Sequence, residues 1–203
     1  MASSKNRARI LLIPFALLYR LVVFIRNKLF DYKVLQSQEF DIPVISVGNI
    51  TVGGTGKTPH VEYIVRLLQD KYHVAVLSRG YKRLTKGYRV VEPSSSARDV
   101  GDEPKQIKQK FPNALVTVQA KRVKAINRIR AGYDDLEAIV LDDAFQHRYV
   151  RPGVSILLMD YNRPMAEDHL LPYGDLREPA HQMKRANILI VTNTPRELKP
   201  IEK

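Results

Sequence analysis

The chain has 203 residues, 44% hydrophobic and 27% charged, which is enough apolar surface for one domain with a buried core and an appended element. Its formal net charge of +12 favours an anionic partner, whether nucleotide, nucleic acid or the acidic face of a membrane. It contains no cysteine, which excludes a disulfide framework and thiolate metal sites and suits a reducing cytosol.

The first predicted element runs from Ile10 to Phe30, ILLIPFALLYRLVVFIRNKLF, behind Lys5, Arg7 and Arg9. Arg20, Arg26 and Lys28 interrupt it. An arginine near the centre of a spanning helix costs about 2.5 to 3.5 kcal/mol, and the unbroken run from Ile10 to Tyr19 is too short to cross a bilayer. On a helical projection Arg9, Ala16, Arg20 and Asn27 share one narrow stripe beside a broad apolar face. That pattern predicts a helix lying at headgroup depth with its arginines toward anionic lipid. A helix packed on the body of its own protein and a signal or anchor segment remain open, although no small-residue cleavage pattern closes the run before Arg20. Residues 1–35 are thus expected to form a membrane-surface element and 36–203 the core.

From about Asp41 the pattern changes. PVISVG (43–48), HVAVLS (73–78), ALVTV (114–118), EAIVLD (137–142), VSILLMD (154–160) and NILIVT (187–192) are apolar runs of strand length, expected to be buried on both faces. Between them Lys57–Leu68, Glu103–Lys110 and Arg122–Ile129 carry helical spacing. Alternating strand and helix predicts an α/β fold with a mostly parallel sheet covered by helices. KRLTKG (82–87) and SSSARD (94–99) read as polar surface loops, and no internal repeat is present.

The first run leads into TVGGTGKTP, Thr51 to Pro59. The phosphate-loop pattern opens on glycine, where this chain has Thr51, but Gly56, Lys57 and Thr58 fit. The position fits too: after a buried strand and before an amphipathic helix, main-chain amides and the helix N-terminus converge on one anion. Gly53 and Gly54 let backbone approach phosphate oxygens, Thr55 and Gly56 complete the loop, and Pro59 falls where a missing amide proton does no harm. Lys57 would supply charge for the β- and γ-phosphates of a nucleotide and Thr58 a hydroxyl for Mg2+. The whole would be a P-loop NTPase-like core.

Such a loop needs a carboxylate at the end of a neighbouring strand, and AIVLDDAFQH (138–147) places Asp142 and Asp143 there. The pair could instead cap the following helix. Asp102 and Glu103 of GDEP (101–104) read first as a helix cap and first-turn acid. Arg177 of REP (177–179) either neutralises a transferring phosphoryl group or pairs with a surface acid.

Taken in order, the amphipathic first segment, VISVGNITVGGTGKTP (44–59), LSRGYKR (77–83), GDEP, LDDAFQHR (141–148) and LPYGDLREP (171–179) resemble the tetraacyldisaccharide 4'-kinases of lipid A biosynthesis. The resemblance covers essentially the whole chain, with Ala144 standing where the family pattern has glycine. It implies ATP- and Mg2+-dependent phosphorylation of the 4'-hydroxyl of a membrane-embedded acylated disaccharide. It further implies a phosphate loop at Gly53 to Thr58 with Thr51 before it, metal-binding acids at Asp142 and Asp143, and a base at Asp102. Glu103 becomes a further metal candidate and Arg177 a stabiliser of transferring charge, while Tyr81 is placed near substrate. The implied location is peripheral, on the cytoplasmic face of the bacterial inner membrane, as a monomer with an anionic lipid surface and no nucleic acid as partner.

Family members continue past residue 203, and the histidine thought to assist the base lies in that part; none of the histidines at 60, 73, 147, 169 and 181 matches it. The expectation is therefore weak Mg·ATP binding and slow or absent turnover. TPRELKPIEK (194–203) opens like a helix, with Thr194 as cap and Pro195 in the first turn. Two rival readings remain. A phosphate-loop GTPase or metallochaperone would carry a guanine-reading N-K-x-D, where this chain has Asn193, Thr194, Pro195 and Arg196. A non-catalytic membrane-associated nucleotide-binding module is the other.

Overall fold

A computed structural model describes residues 11–197. Its strands β1 (Val44–Asn49), β2 (Val74–Ser78), β3 (Arg89–Val90), β4 (Leu115–Val118), β5 (Ala138–Asp142), β6 (Val154–Asp160) and β7 (Ile188–Thr192) form one sheet in the order β3-β4-β2-β5-β1-β6-β7. All neighbours run parallel except β3 and β4. The α-helices among the described residues are α1 (Ile13–Asp31), α2 (Lys57–Leu68), α3 (Ala97–Val100), α4 (Asp102–Lys110) and α5 (Arg122–Gly132). The fold is thus the expected α/β architecture.

The two-residue period of the strands sorts the core into two layers. Val47, Val76, Val116 and Val140 point to one face, where Val61 and Val65 of α2 and Ile107 of α4 cover them. Ala75, Leu77, Ile139 and Leu141 point to the other, against Ala125, Ile126 and Ile129 of α5. These side chains are fully buried or within a percent of it, and each large one stabilises the fold by about 1.5 to 3 kcal/mol.

Two expectations are corrected, and one strand, β3, was not anticipated. β7 is half-exposed at the sheet edge, with Ile188, Leu189 and Val191 at 47%, 45% and 40%, because it has a strand partner on one side only. The SSSARD loop contains α3, whose first turn is capped by Ser96 Oγ accepting from the Asp99 amide at 3.2 Å. β3 was too short to register as a strand period.

Helix α1 differs most from expectation. Its polar stripe turns inward: Ala16 is half-buried and Asn27 fully buried, with Arg148 donating to the Asn27 carbonyl and side-chain oxygens at 3.1 and 3.3 Å, while Arg20 stays exposed. Val23 and Phe30 are buried on the same side, and Phe30 meets Tyr149 edge-on at 4.9 Å. The apolar face looks outward, leaving Phe15, Leu17, Leu18, Leu21, Val22, Phe24 and Ile25 between 48% and 63% exposed. No helix among the described residues is long and apolar enough to cross a membrane. The Ile10 start with Lys5, Arg7 and Arg9 lies outside the described residues, as does the end of the predicted C-terminal helix; its opening, 193–197, is non-helical.

Candidate active site

The site lies at the carboxyl edge of β1 and β5, which pair in parallel from Val44 opposite Ile139 to Val47 opposite Asp142. Beyond β1 the chain enters the glycine loop. Gly53 at φ +111° and Gly56 at φ +79° take left-handed backbone that L side chains rarely adopt, and Gly56 delivers the chain into α2 at Lys57. Gly54 has open space where a Cβ would stand. Thr51 and Thr55 are buried under the loop, and Thr55 Oγ1 accepts from Asn49 Nδ2 at 2.8 Å, so their side chains support the loop from beneath.

The two acids at the end of β5 have different surroundings. Asp142 is buried, and its Oδ2 accepts from Ser78 Oγ at 3.0 Å while its main-chain carbonyl accepts from Arg122 at 3.0 Å. Burial raises its carboxyl pKa, against the opposing pull of the Ser78 hydrogen bond. Asp143 bends into left-handed backbone at φ +48°, which brings its carboxylate toward the glycine loop. There it accepts from Arg177 Nη1 at 3.0 and 3.1 Å and stands 3.7 Å from Lys57 Nζ.

Arg177 arrives because residues 175–177 run alongside the start of the loop. The Arg177 amide donates to the Ile50 carbonyl at 2.7 Å and the Val52 amide to the Asp175 carbonyl at 2.8 Å. Lys57, Asp143 and Arg177, each read separately from the sequence, are therefore brought together.

Asp102 and Glu103 occupy the first turn of α4 behind Gly101, which is the cap residue at φ +97°; Asp102 is thus a first-turn acid. α4 lies beside α2, with Gln106 and Lys110 donating to Glu62 at 2.6 and 2.7 Å. Asp102, one turn before Gln106, shares that stripe and is exposed. Among the described residues no hydrogen bond or ion pair joins Asp102 or Glu103 to the Lys57, Asp143 and Arg177 cluster.

No group of three or more histidines or acids able to cage a metal occurs among the described residues. Magnesium does not require one, since it binds through one or two carboxylates with waters and substrate phosphates. The Thr58 hydroxyl beside Lys57, with the Asp142 and Asp143 carboxylates across the loop, is a donor set of that kind.

Several supporting residues escaped the sequence reading. Asn49 and Ser78 end mostly apolar strands, and a polar residue there was the available signal. Gln146 donates to the Asn49 carbonyl at 2.7 Å. Arg163 pairs with Asp175 at 2.6 Å, and its Nη1 is 2.9 Å from where a Cβ on Gly53 would stand. Gly48 is required because a Cβ there would lie 2.7 Å from Phe145 Cβ, so the turn after Asp143 packs directly on β1. Arg122 is buried, which holds its pKa down at about 10, and nothing in its helical spacing marked it.

The chain matches the family model described as tetraacyldisaccharide-1-P 4'-kinase over residues 8–203. It is 53% identical over 193 residues to a tetraacyldisaccharide 4'-kinase of Phocaeicola vulgatus, covering 94% of this chain and 53% of that one. Against the kinase of the same name from Flavobacterium psychrophilum it is 51% identical, covering 95% of this chain and 56% of the relative. The chain therefore spans about half the length of the curated relatives it matches. The crystal structure of LpxK from Aquifex aeolicus in complex with ATP superposes with a TM-score of 0.86 at 38% identity, over 95% of this chain and 62% of that one.

Proposed function

The chain belongs to the tetraacyldisaccharide-1-P 4'-kinase family, and on that premise we propose that it carries the nucleotide-binding half of a reaction moving the γ-phosphoryl group of ATP to the 4'-hydroxyl of an acylated disaccharide 1-phosphate, a lipid A precursor. The observation that carries this reading is the convergence of Lys57, Asp143 and Arg177 beside a glycine loop with left-handed turns at Gly53 and Gly56.

In this reading the amides from Gly53 to Thr58 cradle the triphosphate, and Lys57 and Arg177 neutralise charge on the transferring group. Thr58, Asp142 and Asp143, with Glu103 as a further candidate, would hold Mg2+, which when bound neutralises the phosphate oxygens. Asp102 takes the proton of the 4'-hydroxyl as that oxygen bonds to phosphorus and the bond to the departing ADP oxygen breaks. Asp102 is exposed at the head of α4, where an acceptor arriving from outside would meet it.

The outward apolar face of α1 supports peripheral attachment, the helix lying in the headgroup layer with Arg20 and Lys28 near anionic lipid. Residues 1–35 would then be the membrane element and 36–203 the catalytic core, on the cytoplasmic side where ATP is available. A guanine-nucleotide reading has less support, because the stretch after β7 is Asn193, Thr194, Pro195, Arg196.

The test is transfer of labelled phosphate from ATP to the acylated disaccharide, together with titration of a fluorescent ATP analogue. Lys57→Ala is expected to weaken nucleotide binding and to lower transfer by about a hundredfold or more. Asp102→Asn is expected to lower transfer comparably with nucleotide binding retained. Unaltered transfer and binding in Lys57→Ala would overturn the proposal.

A further inference from the structure

Helix α1 is tied to the candidate site by its inward stripe. Tyr19 Oη donates to the main-chain carbonyl of Arg177 at 2.9 Å. About two turns further along the same face, Arg26 donates to the Gln146 carbonyl at 2.7 Å and stands 3.8 Å from the carboxylate of Glu178. Glu178 is 1% exposed and also pairs with Arg185. A carboxylate buried this far is strongly destabilising when a cationic partner is removed, so these pairs fix the backbone that carries it.

Arg177 is consequently held at three points: its amide by Ile50, its carbonyl by Tyr19 and its guanidinium by Asp143. The second arm of the tie runs from Arg26 to Gln146, whose side chain holds the Asn49 carbonyl at 2.7 Å; Asn49 in turn braces Thr55 of the glycine loop at 2.8 Å. Helix α1 therefore contacts two of the segments that build the site and reaches the third through Asn49.

We propose that Tyr19 and Arg26 are positioning residues for phosphoryl transfer, clamping the 177–178 segment so that the Arg177 guanidinium stays against Asp143 and beside Lys57. This rests on the kinase reading given above. It assigns the two faces of α1 different duties, the outward one to the lipid surface and the inward one to the geometry of the transferring group. Loss of the inward contacts should therefore lower the rate of the chemical step without loosening either substrate or the membrane.

Tyr19→Phe removes one hydroxyl and no outward apolar area, which makes it the discriminating variant. With ATP and the acylated disaccharide in vesicles containing anionic lipid, its kcat is expected to fall about fivefold, as for one lost hydrogen bond felt in the transition state. Its KM values and its cosedimentation with vesicles are expected to stay unchanged. Arg26→Ala should lower kcat further, and Arg26→Lys should recover part of that loss. A second readout needs no turnover: the guanidinium NMR resonance of Arg177, identified by its disappearance in Arg177→Lys, should move toward that of a solvent-exposed arginine in Tyr19→Phe. An unchanged Arg177 resonance in both Tyr19→Phe and Arg26→Ala overturns the inference. So does a fall in kcat matched by equal loss of vesicle binding, which would make α1 an anchor only. Lys57→Ala keeps the two ideas apart. If it transfers phosphate and binds nucleotide normally, the kinase reading fails; if it is defective while Tyr19→Phe keeps the original kcat and Arg177 resonance, only the positioning inference fails.

Discussion

His147 follows the Asp143 turn by four residues and is half-buried close to Arg122, Arg26 and Arg79. Burial first, and then these guanidinium charges, push its imidazole pKa down from 6.5 to about 4. Below its ordinary value the unfolded chain takes up a proton that the folded chain refuses. Stability from this group is therefore complete above pH 6.5, is lost as pH falls through the window below it and levels off near pH 4. Allowing for solvent screening of a half-buried group, the loss should be about 1 to 2 kcal/mol. Urea unfolding of the original chain and His147→Gln across that window checks it: the variant should show a shallower decline, and parallel declines would remove His147 as the cause.

At the scale of elements, α1 has two faces that its sequence pattern could not separate. A helix that buries Asn27 while leaving most of its apolar residues exposed departs from the usual arrangement on a soluble domain. The arrangement holds because the inward groups find partners: Asn27 has Arg148, Tyr19 has the Arg177 carbonyl and Arg26 has Glu178. The outward residues stay about half exposed, Phe24 meeting Lys28 of the same helix, so substituting them should leave the fold intact. Leu18→Ser and Phe24→Ser are each expected to weaken partition into anionic vesicles by about tenfold, equivalent to much of one apolar side chain's transfer energy. Melting temperature should stay nearly constant. Vesicle binding that survives both substitutions would place the membrane contact elsewhere.

For the molecule as a whole, the arrangement is that of an α/β sheet whose loops at the carboxyl edge gather residues distant in sequence. Arg177 and Asp143 are 34 positions apart yet share two hydrogen bonds, and both stand at the mouth of the glycine loop. A ligand gripped there binds the folded chain alone, so Mg·ATP at about a hundred times its dissociation constant should add about 2.7 kcal/mol of stability. For a chain of this size that is a rise in melting temperature of roughly 5 to 10 °C. Differential scanning fluorimetry with and without Mg·ATP measures it, with Lys57→Ala as the variant expected to show a smaller rise. On the proposed membrane attachment, a net charge of +12 further predicts that vesicle binding weakens as salt is raised, because attraction to anionic lipid would be screened.

Alternation of apolar runs with helical spacing was sufficient to place six strands within a residue of their bounds and three helices by their starts and cores, because buried parallel strands must be apolar throughout and a covering helix needs one apolar stripe. The glycine loop was legible for a similar reason: left-handed turns at Gly53 and Gly56 can be written in few residue types. What the linear pattern left open was which weak motif belongs to which neighbour. Arg177 could have been a surface arginine, Asp102 a cap, and the stripe of α1 a membrane or a core contact. Those choices depend on chain packing between segments far apart in sequence, where the desolvation of Asn27 and Glu178 is offset only by partners brought from other elements. Tertiary structure alone decided that Arg177 meets Asp143 and that Asn27 of α1 meets Arg148.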